Sequence, residues 1–303
     1  MADWKQAFCN LCYVNCGLEV ATEGRKITRV RALWVESTNP ANTTADTPRF
    51  EAAIRALDLS VVVDGAYTET AQLADYVLPA AAQYEAPPLL GDVLFEKMLA
   101  SRSGFVFTAH EYDEIFQLVK HRDGKIHLAV PELLDWLARL DPAGEQDDPA
   151  YPFTLVAGQR RMYNANQIFR TPAWRKSDPD GALRIHPDDI AALGGTDGGW
   201  MAVSTRTGRI VCRVESDPSM RRGLVALPHG YGQSYPDGKG GRIVDGPRLN
   251  LITAHDDCDP IAATPYHKNV AVHLAPVVGA EAKAAEAASA RVRAVAAAHA
   301  SAA

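Results

Sequence analysis

Residues 60–79 read SVVVDGAYTETAQLADYVLP, and this stretch decides how the first half of the chain folds. An apolar run at 60–63 ends at Asp64, and a second short run at 76–78 ends at a proline. Continuous runs rich in β-branched residues are typical of strands in a parallel sheet that is covered on both faces. The polar residues between the runs favour a helix through 70–74, so the stretch predicts a strand–helix–strand unit.

The same alternation continues on either side of this unit. Upstream, the sequence predicts an apolar strand at 33–35 and a helix at 48–57, which completes a βαβαβ pattern. Two peripheral helices are predicted downstream, at 110–120 and 130–140. Residues 32–142 are therefore predicted to form an α/β domain with a parallel sheet. Before it, residues 1–31 carry a cysteine cluster and two short strands joined by a turn at the Glu-Gly-Arg-Lys sequence.

The second half of the chain has a different character. A polar, proline-rich linker at 141–151 separates it from the first half. Residues 152–276 contain many short strands punctuated by Gly, Pro and Asp, which predicts a closed or nearly closed β-barrel-like domain. Residues 279–303 are rich in alanine and favour a helix, but they lack a wide apolar stripe, so we expect a frayed tail. The fold class is therefore α/β plus β.

Composition narrows the function. The chain has 303 residues, with 31 Lys and Arg against 37 Asp and Glu, so its formal net charge is −6. Mild acidity argues against a large nucleic-acid footprint, which requires clustered Lys and Arg. No apolar run is long enough to span a membrane, and we read no targeting signal at the start, so a cytoplasmic location is expected.

Three of the five cysteines, Cys9, Cys12 and Cys16, have the spacing C-x2-C-x3-C. Thiolates this close on a turning backbone converge on one metal centre, and sulfur ligands favour zinc or an iron–sulfur cluster. The alternative is a small knot of buried thiols. A cubane cluster usually takes four thiolates. Cys212 and Cys258 belong to the other domain, so a water, a His, a carboxylate or a partner chain would have to complete it.

Polar residues follow the predicted parallel strands. Asn39 follows the first strand and Asp64 the second, at the edge of the sheet where open α/β folds bind nucleotides. Thr68 and Glu69 offer a hydroxyl and a carboxylate, although Thr68 could simply cap the next helix, with Glu69 favoured by the helix dipole. The chain has neither a G-x-G-x-x-G nor a Walker A motif, which argues against a simple dinucleotide site or P-loop.

In the second half, residues 157–166 read AGQRRMYNAN directly after a predicted strand. Glycine lets a ligand approach the backbone, arginines clamp phosphate, and asparagine amides hydrogen-bond rings. Residues 227–232 (LPHGYG) form a glycine-rich turn and residues 265–268 (PYHK) add a basic pair. Each alone could be a solvated loop, but together they indicate an extended ligand that carries phosphate.

These motifs resemble the molybdopterin oxidoreductases of the dimethyl-sulfoxide-reductase and formate-dehydrogenase type. Asn39-Pro40 with residues 61–64 and 68–79 resembles the family's NP…VVVD…TETA signature, and the cysteines with residues 17–20 resemble its 4Fe-4S-binding domain. Residues 152–275 resemble its C-terminal molybdopterin-dinucleotide-binding domain. The resemblance covers nearly the whole chain except residues 87–107 and the tail.

The resemblance implies a molybdopterin guanine dinucleotide that carries Mo or W, and a 4Fe-4S cluster on the three N-terminal cysteines. Arginine and lysine side chains would neutralise pyrophosphate or orient the pterin: Arg160, Arg161 and Lys268. Amides would hydrogen-bond rings: Asn164, Asn166 and Asn250. Carboxylates from the first domain would recognise guanine or ribose: Asp64, Glu69 and Asp75. The remaining candidates for cofactor binding are Asn39, Thr68, Gly158, His229 and His267.

The chain also departs from the family pattern. It is much shorter than the family's catalytic subunits, the fourth cluster cysteine is missing, and no residue matches the protein ligand to molybdenum. Three functions remain: a compact molybdenum or tungsten oxidoreductase, a non-catalytic cofactor-binding fragment or split subunit, and a small iron–sulfur electron-transfer protein. A shortened sheet exposes edges and apolar surface, so we expect an oligomer, or an electron-transfer or complementing subunit as partner.

Overall fold

The computed structural model describes residues 4–8, 17–24, 26–81, 93, 96–97, 99–100, 111, 114, 117, 119–139, 148–158, 173, 175, 178–260 and 264–302. The chain divides into two compact units. The first comprises Met1–Pro79 and Gln146–Ala303, and it contains a five-stranded sheet and a closed barrel. The second is Ala80–Glu145.

The sheet consists of five strands in chain order: β1 (Trp4–Phe8), β2 (Gly17–Glu23), β3 (Lys26–Glu36), β4 (Leu59–Asp64) and β5 (Tyr76–Pro79). β1, β2 and β3 are antiparallel neighbours, whereas β3, β4 and β5 run parallel. The predicted turn between β2 and β3 is confirmed, and Gly24 adopts a φ of 60° there. The strand expected at 33–35 is the end of β3, which runs without interruption through the expected boundary at 31–32.

Short helices connect the parallel strands. α1 (Pro40–Thr43) and α2 (Thr47–Arg55) lie between β3 and β4, which confirms the helix predicted at 48–57. Proline in the first turn of each helix suits the fixed φ of that residue and the unpaired N–H positions there. The helix predicted at 70–74 is a single 3₁₀ turn, Ala71–Leu73, between β4 and β5.

One face of the parallel strands is covered and the other is open. Val35, Val62 and Ala71 are buried together beneath the connecting segments. The opposite face exposes large apolar side chains: Trp34 at 44%, Tyr76 at 63% and Leu78 at 44%. Because Trp34 pairs with Val61 and Val61 with Tyr76, Trp34 and Tyr76 lie in one row across the sheet, and Leu78 lies two residues further along β5 on the same face. The prediction of cover on both faces is therefore wrong, whereas the expectation of an uncovered apolar face is confirmed.

The second unit contains helix α3 (Pro131–Arg139), which confirms the helix predicted at 130–140. Its apolar side chains are exposed, including Leu133 at 48% and Leu137 at 63%. The helix predicted at 110–120 lies mostly outside the described residues.

The remaining elements follow in chain order: β6 (Phe153–Ala157), β7 (Leu183–Ile185), α4 (Pro187–Ala192), β8 (Trp200–Ser204), β9 (Arg209–Ser216), β10 (Leu224–Leu227), β11 (Gln233–Pro236), β12 (Arg242–Asp245), a 3₁₀ turn (Leu249–Leu251), β13 (Lys268–Val277) and α5 (Gly279–Ala302). Six strands close a barrel in the order β10-β6-β13-β8-β9-β7, which confirms the predicted β-domain. Its interior is filled by apolar side chains with no exposure, among them Leu155, Met201 and Leu227. β11 and β12 form a separate two-stranded ribbon.

The alanine-rich segment is not a frayed tail. It forms α5, and its side chain Val292 is buried against Tyr235 and Ile243 of the ribbon. Ion pairs fix the helix further, from Arg209 to Glu281 at 2.6 Å and from Arg213 to Glu286 at 2.6 Å. The prediction of a frayed tail is wrong because ion pairs hold the helix, and a search for an apolar stripe does not detect ion pairs. Within the described ranges, no helix is both long enough and apolar enough to cross a membrane.

Candidate functional site

Two sets of loops meet where the sheet contacts the barrel. The sheet contributes the segments that follow the carboxyl ends of β3 and β4, where open α/β sheets bind ligands. In the barrel, β6 lies between β10 and β13, parallel to the first and antiparallel to the second. The segment after β10 and the segment before β13 therefore emerge at the same rim, facing a common space.

Asn39 and Glu69 link the sheet to the ribbon. Asn39 accepts hydrogen bonds at Oδ1 from the backbone N–H (3.1 Å) and the hydroxyl (2.8 Å) of Thr70, and its Nδ2 donates to Glu69 Oε2 at 2.5 Å. The other oxygen of Glu69 accepts from the backbone N–H of Ser234, in β11, at 2.6 Å. Glu69 is only 5% exposed, so it is a buried carboxylate that joins three segments.

Asn250 makes a second link between sheet and barrel. It has no exposed surface, and its Nδ2 donates to the backbone carbonyl of Asn42 at 2.8 Å. The same Nδ2 lies 3.2 Å from Nε2 of His229, and Oδ1 accepts from the hydroxyl of Thr253 at 2.9 Å. The carbonyl of Asn42 and the hydroxyl of Thr253 fix the amide orientation of Asn250, since its nitrogen faces an acceptor and its oxygen faces a donor.

Two imidazoles stand together at the barrel rim. His229 follows β10, His267 precedes β13, and their ring centroids are 5.3 Å apart. Burial lowers the pKa of His229 to about 4, and the neighbouring His267 adds to this shift. Burial also lowers the pKa of His267. Both rings are therefore neutral near pH 7, because a buried site disfavours the charged form.

The neutral rings and the amide of Asn42 present unused acceptors. His267 Nδ1 donates to the carbonyl of Pro265 at 3.0 Å, so in the neutral ring Nε2 is the acceptor. That Nε2 atom and Oδ1 of Asn42 are both buried without a hydrogen-bond partner among the described residues. An unsatisfied buried acceptor is costly, so two of them near one junction indicate a ligand that supplies donors.

A buried ion pair supports this arrangement from behind. Nη1 of Arg175 lies 2.6 Å from Oδ2 of Asp245, and the two side chains are 1% and 0% exposed. Asp245 also accepts from the backbone N–H of Gln233 at 2.8 Å, and Arg175 donates to the carbonyl of Gly230 at 3.1 Å. Burial raises the pKa of Asp245 to about 7, against the opposing effect of Arg175. The pair therefore holds the segment that carries His229.

A further contact between sheet and barrel forms at the start of α2. His255 Nδ1 lies 2.8 Å from Asp46 Oδ2, and Arg49 approaches the other ring nitrogen at 2.5 Å. The backbone N–H of Asp46 donates to the carbonyl of Thr253 at 3.0 Å. Since Thr253 also bonds Asn250, this contact stabilises the same junction.

The two halves that meet here match two family models. Residues 153–271 match the molybdopterin dinucleotide binding domain, and residues 15–93 match the molybdopterin oxidoreductase domain. The chain belongs to the molybdopterin oxidoreductase family. The candidate site therefore lies where the two matched domains of this family contact each other.

Curated relatives of this family member include two alpha subunits of F420-dependent formate dehydrogenases. The subunit from Methanococcus maripaludis is 25% identical over 264 residues, which cover 68% of this chain and 39% of that protein. The subunit from Methanocaldococcus jannaschii is 24% identical over 293 residues, with 74% of this chain and 42% of that protein covered. Acetylene hydratase of Syntrophotalea acetylenica is 32% identical over 81 residues.

Among solved structures, acetylene hydratase from Pelobacter acetylenicus has a similar fold. The TM-score is 0.53 at 20% identity, and the match covers 82% of this chain and 44% of that one. The chain thus spans about two fifths of the length of the formate dehydrogenase subunits that it matches.

The molybdopterin oxidoreductase fold brings together five of the residues named from the sequence: Asn39, Glu69, His229, Asn250 and His267. Other candidates are placed in local roles. Asp64 accepts from the backbone N–H of Ala66 at 3.0 Å, and Thr68 caps the following 3₁₀ turn through the N–H of Ala71 at 3.2 Å. Asp75 accepts from the backbone N–H (2.7 Å) and the hydroxyl (2.9 Å) of Ser60, and these bonds lower its pKa.

Two more candidates border the barrel rim. Gly158 follows β6 with a φ of 72°, and its N–H donates to the carbonyl of Leu227 at 3.2 Å. Among the described residues, no atom lies within 4 Å of the position that a Cβ would occupy there. Lys268 is exposed at the start of β13, next to His267.

Seven sequence candidates lie outside the described residues: Cys9, Cys12, Cys16, Arg160, Arg161, Asn164 and Asn166. In the part of the chain that is described, no group of three or more His, Cys, Asp or Glu side chains could hold a metal ion. Cys212 is buried in the barrel, and burial raises the pKa of its thiol.

The sequence argument missed Asn42, Thr253 and His255. Asn42 lies three residues after Asn39 in a polar run, NPANTT, which gave no reason to single out one amide. Thr253 lies three residues after Asn250, and this spacing from a named candidate is the signal that the sequence offers. His255 had none, because its partner Asp46 is distant in sequence.

Proposed function

We propose that the junction of sheet and barrel binds a molybdopterin dinucleotide, and that the chain is the cofactor-binding part of a molybdopterin-dependent oxidoreductase. Family membership supports the cofactor class. When bound, the cofactor would supply a Mo or W ion that changes oxidation state, while the protein binds and orients it.

One observation carries this proposal. Two buried acceptors, Asn42 Oδ1 and His267 Nε2, lack partners among the described residues at the contact between the two matched domains. A pterin presents an N–H and an amino group on its pyrimidine edge, and guanine presents the same pair. The residues present therefore fit the donor edge of the dinucleotide, since each unused acceptor would receive a hydrogen bond.

Neutral histidines suit this role. His229 and His267 both have pKa values lowered by burial, so each ring keeps one nitrogen as an acceptor near neutral pH. Asn250 would hold His229 in place through its Nδ2 contact. These residues would bind and orient the rings of the cofactor and exclude water from them.

Phosphate recognition is proposed for the basic residues of the second domain. Arg160, Arg161 and Lys268 would neutralise the pyrophosphate, and Asn164 and Asn166 would hydrogen-bond a ring. Within the described part of the chain, no atom would contact a Cβ at Gly158, which supports a ligand close to the end of β6. Arginine matches phosphate geometry with paired N–H donors.

A 4Fe-4S cluster on Cys9, Cys12 and Cys16 is proposed from their spacing and from the resemblance. The fourth ligand is not assigned. Electrons would pass between this cluster and the cofactor, which makes an electron-transfer subunit the expected partner.

No substrate is proposed, because the relatives differ in chemistry. Their names describe formate dehydrogenation and acetylene hydration, so the feature they share with this chain is the cofactor-binding fold rather than a substrate. The chain spans about two fifths of the formate dehydrogenase subunits. A split subunit that a second polypeptide completes is therefore the second candidate, and the open apolar face of the sheet supports it.

The test is substitution of the unused acceptor. We expect Asn42→Leu to lower the pterin bound per chain by about tenfold, which corresponds to the loss of one buried hydrogen bond and its acceptor. Pterin is measured by the fluorescence of its oxidised form after release from protein purified without oxygen. The thermal midpoint of the cofactor-free chain should not fall, since the substitution removes an unsatisfied polar atom.

Gln72→Leu is the matched control, because it replaces an exposed amide outside the junction. It should leave pterin content unchanged. Unchanged pterin in Asn42→Leu, or an equal loss in both variants, would contradict a cofactor at this junction.

A further inference from the structure

We infer that Glu69 is a positioning residue that sets the distance between the two sides of the cofactor site, and that it acts through Asn39 and Ser234 rather than by touching the cofactor. The inference rests on the proposed function. The family resemblance implies that the carboxylate of Glu69 recognises guanine or ribose, and the positioning role inferred here replaces that expectation.

The contacts of Glu69 carry the argument. One carboxylate oxygen accepts from Asn39 Nδ2 at 2.5 Å and the other from the backbone N–H of Ser234 at 2.6 Å. With an exposure of 5%, the side chain is enclosed by protein. Each oxygen already accepts a short, charge-assisted hydrogen bond, and such bonds are about twice as strong as neutral ones.

The positions of Asn39 and Ser234 show which two parts of the site Glu69 holds together. Asn39 lies three residues before Asn42, which carries one of the unused acceptors. Ser234 lies five residues after His229, at the rim of the barrel. Glu69 therefore connects the loop that presents the amide to the segment that presents the imidazole. A displacement of either side would separate groups that must contact one ligand at once.

The backbone N–H of the residue before Ser234 also donates to a buried carboxylate. The N–H of Gln233 donates to buried Asp245, and that of Ser234 donates to Glu69, so consecutive peptide groups of β11 are held by the neighbouring strand β12 and by the segment between β4 and β5 of the sheet. Arg175 joins Asp245 to the carbonyl of Gly230, directly after His229. β11 is thus held by its neighbouring strand and by Glu69, which supplies a contact between the sheet and the ribbon.

A swapped pair of residues tests this role. In Glu69→Gln the amide has one donor end and one acceptor end, whereas both Asn39 Nδ2 and the Ser234 N–H are donors. Thr70 holds Asn39 Oδ1, so the amide of Asn39 cannot turn. One donor–donor contact remains whichever way the glutamine turns. Adding Asn39→Asp converts the facing donor into an acceptor. The amide at residue 69 then donates to residue 39 and accepts from the Ser234 N–H, so both of these bonds are restored and only the first is reversed.

The experiment compares wild type, E69Q, N39D and the double variant N39D/E69Q, with E36Q as control because Glu36 is exposed at the end of β3. Pterin retained after gel filtration is measured together with the thermal midpoint. We expect each single variant to retain about tenfold less pterin, and the double variant to return to within about twofold of wild type. E36Q should match wild type.

A double variant that unfolds, or that retains as little pterin as E69Q, overturns the inference, since it would mean that the charge at residue 69 is itself required. Single variants equal to wild type also overturn it. Amide exchange in residues 229–236 of the cofactor-free chain is the second measurement: it should accelerate in E69Q and recover in the double variant. Failure of this recovery overturns the inference without bearing on the cofactor. Absence of pterin from wild type contradicts the proposed function instead.

Discussion

At the scale of single residues, the site depends on polar atoms that are buried and incompletely paired. Asn39, Glu69 and Asn250 were named from a motif, and the structure shows that they bond other protein groups. Asn42 was not named, yet it carries the unused acceptor. Sequence patterns identified the segments, but they could not separate a residue that faces a ligand from one that holds its neighbour.

The depressed pKa of His229 predicts how the cofactor-free chain responds to acid. The unfolded chain takes up this proton near pH 6.5, whereas the folded chain does so only near pH 4. Between these values the unfolded state binds more protons, so stability rises with pH and is lost as the pH falls through this window. The full loss is on the order of 3 kcal/mol.

Urea unfolding at several pH values between 4 and 7 checks this. We expect the free energy of unfolding of wild type to decrease on acidification, and that of His229→Gln to decrease less. Equal slopes in the two proteins would show that His229 is not held in its neutral form.

At the scale of elements, the strands that the sequence predicts most clearly are found. Apolar runs fixed β4 and β5, and a glycine turn fixed the β2–β3 hairpin. The sequence failed for α5, whose few apolar contacts are supplemented by ion pairs to residues far away in sequence. The prediction that both faces of the sheet are covered is also wrong, because a continuous run of valines is compatible with a strand buried on one face or on both.

Docking of α5 is tested by a charge on its buried side. Val292 is 5% exposed and packs on the ribbon, so Val292→Asp would bury a carboxylate at a cost of about 2 kcal/mol or more. We expect the helix to detach and unfold, so that trypsin cleaves its backbone at Lys283, Arg291 and Arg293, whose side chains are already exposed. Limited proteolysis followed by mass spectrometry measures the cleavage.

Ala290→Asp is the control, since Ala290 lies on the exposed side of the same helix. It should be cleaved at the wild-type rate. Equal cleavage of the two variants would show that the segment does not depend on its contact with the ribbon.

At the scale of the whole molecule, the chain has two matched domains and an apolar sheet face without cover. Trp34, Tyr76 and Leu78 present that face to solvent. Parallel strands are usually covered on both sides, and exposed apolar patches of this kind mark interaction sites. The chain spans about two fifths of the length of the formate dehydrogenase subunits that it matches.

We therefore expect wild type to associate through this face, either with itself or with a complementing subunit. Light scattering after gel filtration should give a mass above the 32.8 kDa of one chain. Trp34→Lys combined with Tyr76→Glu should return the protein to a single chain, and Val278→Glu, which replaces an exposed apolar residue outside the sheet, should not. A wild-type protein that elutes as one chain at all concentrations would contradict this expectation.

The most direct test of a dinucleotide site between sheet and barrel is the composition of the purified protein. Wild type is prepared without oxygen from cells that synthesise molybdopterin guanine dinucleotide, and pterin, guanine nucleotide, Mo, W and Fe are quantified per chain. A dinucleotide site at this junction predicts pterin and guanine nucleotide in equal amounts, with Mo or W. Protein that contains iron but no pterin, or none of these components, would contradict it.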